Sequence, residues 1–298
     1  MTGFQTIGFI GLGVMGEPMC RNLMARMDVR MIGYDIRPEP LEALADAGVI
    51  AGGSVAELAT ECDLVLLSLP GRPEVEEVCL GADGLSAHGT PGLVVADLST
   101  CPVDTARKVG AGLTANGIEF ADAPVTRTAA AALDGTLSIM VGAAPELYER
   151  LKPVLRTMGT DVTHTGAVGS AQILKLMNNM VCVQTVVALA EAITIARRAG
   201  VEPDLLFDVL GKGSADSFAL RNHGMKSLLP GDFPTRKYST RYAMKDTGYA
   251  VELAEETGVD ASGAELALKL MRRAEELGFG ENYYPALVNV IDRGFQED

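Results

Sequence analysis

An α/β chain, with a doubly wound and mostly parallel sheet in its first half and helices alone in its second, is predicted by three observations. Short apolar runs alternate with helix-spaced segments from Thr6 to about His164. Two of those runs, Asp63–Leu69 (DLVLLSL) and Leu93–Leu98 (LVVADL), are nearly continuous in apolar residues, as strands covered by helices on both faces must be. After about Gly166 strand-like runs cease and only helical spacing remains. Alternation of this kind builds right-handed crossovers and places ligands at the carboxyl ends of the strands.

The elements follow in order. Thr6–Ile10 is a short strand running into glycines, and Glu17–Met27 has helical spacing. Val29–Tyr34 reads as strand and Pro38–Ala47 as a helix opened by prolines. Asp63–Leu69 is a buried strand stopped by Pro70, followed by a helix over Pro73–Leu80. Leu93–Leu98 is the next strand, Val103–Ala115 the next helix, and Ile118–Ala121 and Ser138–Val141 are further strands. Ala129–Ala132 begins a tightly packed helix, Pro145–Met158 another, and Asp161–His164 a last short strand. A first domain over residues 1–165 and a second over 166–298 are therefore expected. In the second, a long helix from Ser170 to Ala199 stops at Gly200. Helices then follow at Pro203–Leu210, Phe218–Ser227, Ser239–Glu256, Ala264–Leu277 and Pro285–Phe295.

Composition narrows the function. With 298 residues, 48% of them apolar, the chain can bury two cores. A formal charge of −14 argues against a nucleic-acid partner, which needs a basic face. Five cysteines without CxxC spacing read as buried thiols of a reducing compartment. The three histidines, His88, His164 and His223, are far apart in sequence, so no metal site is expected. The N-terminus shows no secretion signal. The uncharged stretch Leu176–Ala190 is shorter than the ~20 residues a membrane span needs, and it contains Asn178, Asn179 and Gln184. A cytoplasmic protein with no membrane partner is expected.

Two constellations carry chemistry. The first is GFIGLGVMG, where Gly11, Gly13 and Gly16 form G-x-G-x-x-G between a strand and a helix. The first glycine permits the turn, the second lets backbone approach a pyrophosphate, and the third lets helix and strand pack closely. With Leu12, Val14 and Met15 they make a dinucleotide loop closed by a helix N-terminus. Asp35, at the end of the second strand, can accept from a ribose 2′-hydroxyl and would repel a 2′-phosphate, favouring NAD. Arg37 could hold such a phosphate, so NADP stays open.

The second constellation is Lys175 with Asn179, one turn apart on the long helix and so on one face. Lys175 is the only charge between Gly166 and Glu191. An ammonium in so apolar a helix either reaches the surface along its stem or serves as a proton carrier. In the second role it takes a proton from a hydroxyl as hydride leaves carbon, while Asn179 donates to a substrate oxygen.

Four motifs now stand in order. GFIGLGVMGEPMCRNL resembles GxGxMGxPMAxNL of the β-hydroxyacid dehydrogenases, the group that includes 3-hydroxyisobutyrate dehydrogenase and tartronate semialdehyde reductase. DAPVTRTAAAALDGTL (Asp122–Leu137) is similar to that family's DAPVSGGxxxAxxGTL. GAVGSAQILKLMNN is similar to GxxGxGxxxKxxxN, and MKDTGYA (Met244–Ala250) to its KDLxxA. The resemblance covers essentially the whole chain. It implies a Rossmann domain joined by a long interdomain helix to an all-α domain, NAD or NADP as cofactor, a small anionic substrate, and a homodimer or homotetramer. It makes Lys175 the catalytic residue and Asn179 a substrate ligand. Lys245 matches the lysine at the nicotinamide end, beside Asp246. Leu69, Pro70, Ser99 and Thr100 match positions lining the cofactor cleft.

Two departures stand out. Ala171 replaces a glycine, a small change. Thr126-Arg127-Thr128 replaces Ser-Gly-Gly. In the family those glycines offer backbone N–H groups to a carboxylate. Arg127 is expected instead to place a guanidinium there, a fork suited to a carboxylate, sulfonate or phosphonate, with Thr128 adding a hydroxyl. The arginine–threonine pair is similar to that of sulfolactaldehyde reductases, which makes a C3 sulfonate a candidate substrate. Asp216, Ser217, Arg221 and Lys237 are lesser candidates for a substrate-side wall. The alternatives to a hydroxyacid dehydrogenase are an imine reductase of related architecture, against which Lys175 speaks, and a non-catalytic dinucleotide-binding module.

Overall fold

The computed structural model describes residues 3–293. The chain forms two compact units that divide between Lys175 and Leu176. In the first, β1 (Thr6–Ile10), β2 (Arg30–Tyr34), β3 (Ile50–Ala51), β4 (Leu64–Leu67), β5 (Val94–Asp97) and β6 (Glu119–Asp122) run parallel in the order β3-β2-β1-β4-β5-β6. β8 (Leu137–Gly142) pairs antiparallel with β6 and with β7 (Val125–Thr126), and β9 (Gly159–Gly166) runs parallel to β8. β1 pairs β2 on one side and β4 on the other, so the winding reverses there, the switch point at which sheets of this kind bind ligands.

The apolar runs explain the layers. Successive strand residues face opposite ways. Leu64 and Leu66 of β4 join Val94 and Ala96 of β5 in one core, against Met19 and Leu23 of α1 (Gly16–Arg26) and Leu147 and Leu151 of α8 (Pro145–Leu155). Val65, Leu67 and Val95 join the other core, against α3 (Val55–Glu61), α4 (Arg72–Leu80), α5 (Leu85–His88) and α6 (Val103–Thr114). Glu39–Leu44 forms α2 and Ala129–Asp134 forms α7. The five cysteines are thiols, and burial pushes Cys20 and Cys62 up to about 12.

The second unit is helical: the rest of α9 (Ser170–Arg198), then α10 (Pro203–Lys212), α11 (Thr240–Thr257), α12 (Ser262–Ala274) and α13 (Val288–Arg293). Val183, Val186, Ala190 and Ile193 of α9 pack with Phe207, Leu220, Met271 and Tyr284 in its core.

Several elements differ from expectation. β3, β7, α3 and α5 have no counterpart in the sequence reading. The two residues of β3 are both exposed, and the strand is too short for a period to show. The helix expected at Phe218–Ser227 is a π-helical stretch, Leu220–Leu228. The helix expected at Pro285–Phe295 opens as a 3₁₀ turn, Tyr284–Leu287, before α13, and its last two residues lie outside those described. α9 is longer than its uncharged stretch. By length and composition its 29 residues could cross a membrane, and half of its most apolar window is buried.

Candidate active site

The dinucleotide loop closes because two glycines lack a side chain. Gly11 has φ +89, and its N–H donates to the Tyr34 carbonyl at 2.9 Å. A Cβ there would lie 2.3 Å from the Ser68 carbonyl oxygen, and one at Gly16 would lie 1.9 Å from the Gly11 oxygen. Leu12, Gly13, Val14 and Met15 fill the turn between them. Asp35 sits just past β2. Its Oδ2 accepts from Leu12 N at 2.8 Å, and its Oδ1 accepts from Arg37 N at 2.9 Å and Arg37 Nε at 3.3 Å. Burial by itself would raise this carboxyl. The N–H groups of Arg37 and Leu12 and the Arg37 guanidinium outweigh it and hold the group below its usual range. A carboxylate has about four lone-pair sites, so Oδ2, with Leu12 N as its donor, can accept a further hydrogen bond.

Leu69 and Pro70 follow β4, and Ser99 and Thr100 follow β5, on the same carboxyl edge. Leu69 N donates to Ser99 Oγ at 2.9 Å, and Ser99 N to Asp97 Oδ1 at 2.9 Å. The first turn of α9 is bound to this edge. Asp122, ending β6, accepts from Gly169 N at 2.7 Å and Gln172 N at 3.0 Å. The Gln172 amide donates to the Ser99 carbonyl at 2.9 Å and accepts from Cys101 N at 3.1 Å. Burial pushes the Asp122 carboxyl up to about 6, against the pull of those N–H donors. Lys175 follows three residues after Gln172, on the same helix face, and is 9% exposed. Gln172 escaped the sequence reading. Its signal was a lone long polar side chain one turn before the lysine on an apolar helix.

The loop after β7 departs from expectation in what its side chains do. Thr126 Oγ1 donates to the Ser138 carbonyl at 3.3 Å, and Thr128 Oγ1 caps α7 by accepting from Ala131 N at 3.4 Å. Arg127 has φ +86, a region where an L residue costs about 1 kcal/mol. Its guanidinium binds the Thr136 carbonyl, Thr160 Oγ1 at 2.9 Å and Asp161 Oδ2 at 2.5 Å. The Thr160 hydroxyl and then the Arg127 guanidinium hold the Asp161 carboxyl below its usual range.

These loops belong to a known lineage. Residues 6–166 match the family model described as the NAD binding domain of 6-phosphogluconate dehydrogenase. Residues 169–291 match the NAD-binding model of NADP-dependent 3-hydroxyisobutyrate dehydrogenase. The chain belongs to the β-hydroxyacid dehydrogenase family. As such it is an NAD(P)-dependent oxidoreductase of small hydroxy acids. It is 31% identical to 2-(hydroxymethyl)glutarate dehydrogenase of Eubacterium barkeri over 96% of this chain and 95% of that one. It is 31% identical to the NAD-dependent L-serine dehydrogenase of Pseudomonas aeruginosa over 97% and 98%. Its fold matches that of Mycobacterium tuberculosis 3-hydroxyisobutyrate dehydrogenase, solved with L-serine, with TM-score 0.88, 30% identity, and 96% and 99% of the two chains covered.

In the helical unit of this dehydrogenase, Asn179 is held by a buried carboxylate. Its Nδ2 donates to Asp246 Oδ2 at 2.8 Å, and Tyr238 Oη donates to the same oxygen at 2.7 Å. Lys245 Nζ lies 2.8 Å from Asp246 Oδ1 and 4.9 Å from the centre of the Tyr249 ring. Burial, reinforced by the Asp246 charge, keeps the Tyr238 phenol protonated and therefore a donor. The lesser candidates serve the unit's own structure. Arg221 pairs with Asp216, Ser217 Oγ accepts from Leu220 N at 3.0 Å, and Lys237 lies over the Tyr283 ring.

Proposed function

We propose that the dehydrogenase oxidises the hydroxyl of a small 3-hydroxy acid, or reduces the matching semialdehyde, with Lys175 as general base or acid. One observation carries the reading: Lys175 is buried on the helix turn that Asp122 and Gln172 tie to the carboxyl edge of the sheet. A bound nicotinamide would supply the acceptor for the hydride of the hydroxyl-bearing carbon. The Lys175 Nζ receives the hydroxyl proton as the hydride leaves, or returns it to a carbonyl oxygen in reverse. Gly11–Gly16, Asp35, Leu69, Pro70, Ser99 and Thr100 hold the cofactor, and Lys245 joins them by the family resemblance. Asp35 favours NAD, because its carboxylate is held ionised and already draws in the Arg37 guanidinium.

Residues 126–128 hold the anionic end of the substrate. Their side chains are engaged in building the loop, so its backbone N–H groups are the donors it has to offer. A guanidinium clamp on a sulfonate would require Arg127 to leave Asp161, Thr160 and the Thr136 carbonyl. Asn179, oriented by Asp246, donates to a substrate oxygen. The enzyme works in the cytoplasm as a dimer or tetramer. Exposed Val181 and Ile195 on α9 and Leu205 and Val209 on α10 give the helical unit an apolar surface that a second copy would cover.

Absorbance at 340 nm tests the reading, with NAD and NADP against 3-hydroxyisobutyrate, serine, glycerate, threonate and dihydroxypropanesulfonate. Turnover of at least one acid with NAD, abolished in Lys175→Ala, is expected. No change with any acid, or full turnover without the lysine, would refute it.

A further inference from the structure

We propose that Asp161, with Thr160, is a positioning residue for the substrate loop, strapping Arg127 at a positive φ that favours glycine. The inference rests on the reading of residues 126–128 as the substrate loop. Among the described residues only Arg127 and Arg236 have positive φ without being glycine. Arg127 stands at the tip of the strand that continues β6 through β7, beyond the carboxyl edge of the parallel sheet.

The strap spans three strands. β7 and β9 lie on opposite sides of β8, since Val125 and Val162 both pair with Ile139. The Arg127 side chain crosses the start of β8, where it meets the Thr136 carbonyl, and ends on Thr160 and Asp161 at the start of β9. Thr160 Oγ1 donates to Asp161 Oδ2 at 3.0 Å, so the acceptor is itself fixed. The guanidinium therefore points to the side of β8 away from β6 and the dinucleotide loop.

The consequence for the site follows from geometry. Returning φ of Arg127 to negative values swings the Thr126–Arg127 peptide and re-aims the Arg127 N–H. A loop that offers N–H groups to an anion cannot tolerate that swing. Glycine would hold the conformation without a penalty, whereas arginine needs the tether. An ordinary surface ion pair would have no such effect on substrate, and an anion clamp would make Arg127 itself indispensable.

The test uses the full chain and whichever of the five acids above it turns over with NAD. Asp161→Ala should raise the substrate KM about tenfold, with kcat and the NAD KM within about twofold. Arg127→Gly added to Asp161→Ala should bring KM back down about tenfold from that of Asp161→Ala, because glycine holds the turn without the tether. An unchanged KM in Asp161→Ala overturns the proposal. So does a tenfold loss in Arg127→Gly that persists in the double variant, because the guanidinium then binds the anion. If none of the acids reacts, the proposed function fails but the strap is still read. Amide exchange over residues 125–131 should rise about tenfold in Asp161→Ala while that of α9 stays unchanged. Equal exchange overturns the strap.

Discussion

Two turns in the sheet unit each hold a residue at positive φ, by opposite means. The turn after β1 has Gly11 at φ +89, and the turn after β7 has Arg127 at φ +86. At Gly11 the conformation depends on a missing atom, because any Cβ would run into the Ser68 carbonyl. At Arg127 it depends on contacts with Thr136, just before β8, and with Thr160 and Asp161 of β9. A turn held by absence is encoded where it stands. A turn held by contact is encoded by the whole sheet, and it can be undone from a distance.

The largest expected effect lies outside both turns and calibrates them. Lys175→Ala should lower kcat by about 10² to 10⁴ while leaving NAD binding intact, measured by turnover and by titration of NADH fluorescence. A comparable loss of cofactor affinity would mean that the helix turn holds the dinucleotide as well. Gly11→Ala should be next, with an NAD KM raised about thirtyfold and a lowered Tm, because the backbone must move to admit the methyl. A near-neutral result would break the contrast with Arg127.

Protonation offers a third comparison, between the two units. Burial raises Asp122 to about 6 when folded, so its share of stability is present below about pH 4 and is lost as pH rises through about 6. Burial, helped by the Lys226 charge, lowers His223 to about 4, so its share is present above about pH 6.5 and is lost as pH falls through about 4. Each is on the order of 3 kcal/mol, with opposite sign over the same window. In urea titrations between pH 4 and 6.5, the stability of His223→Gln relative to wild type should fall as pH rises, and that of Asp122→Asn should climb. Parallel curves would show that neither burial carries over to solution. The smallest effect is at Asp35: Asp35→Ser should raise the NAD KM about fivefold and narrow the preference over NADP, read from KM for both. An unchanged ratio would remove Asp35 as the discriminator.

What could be read from the residues was local and periodic. The runs Leu64–Leu67 and Val94–Asp97 announced strands buried on both faces, and the glycine spacing announced a dinucleotide loop, because each needs only its own residues. Two-residue strands such as β3 and β7 were hidden, being too short for any period to show. The π-helical stretch Leu220–Leu228 was hidden as well, since it is too short for the wider π-helical period to be told from the α-helical one.

The sequence by itself determined the class of fold, the family, the dinucleotide loop, and which lysine and asparagine share a helix face. The tertiary structure alone decided that Gln172 and Asp122 anchor the turn before Lys175, that Asp246 and Tyr238 orient Asn179, and that Arg127 turns to Asp161. The reason is physical. A missing Cβ or a helical period acts between near neighbours in the chain, whereas a hydrogen bond such as Gln172 to Ser99 or Asn179 to Asp246 joins residues that only folding brings within 3 Å.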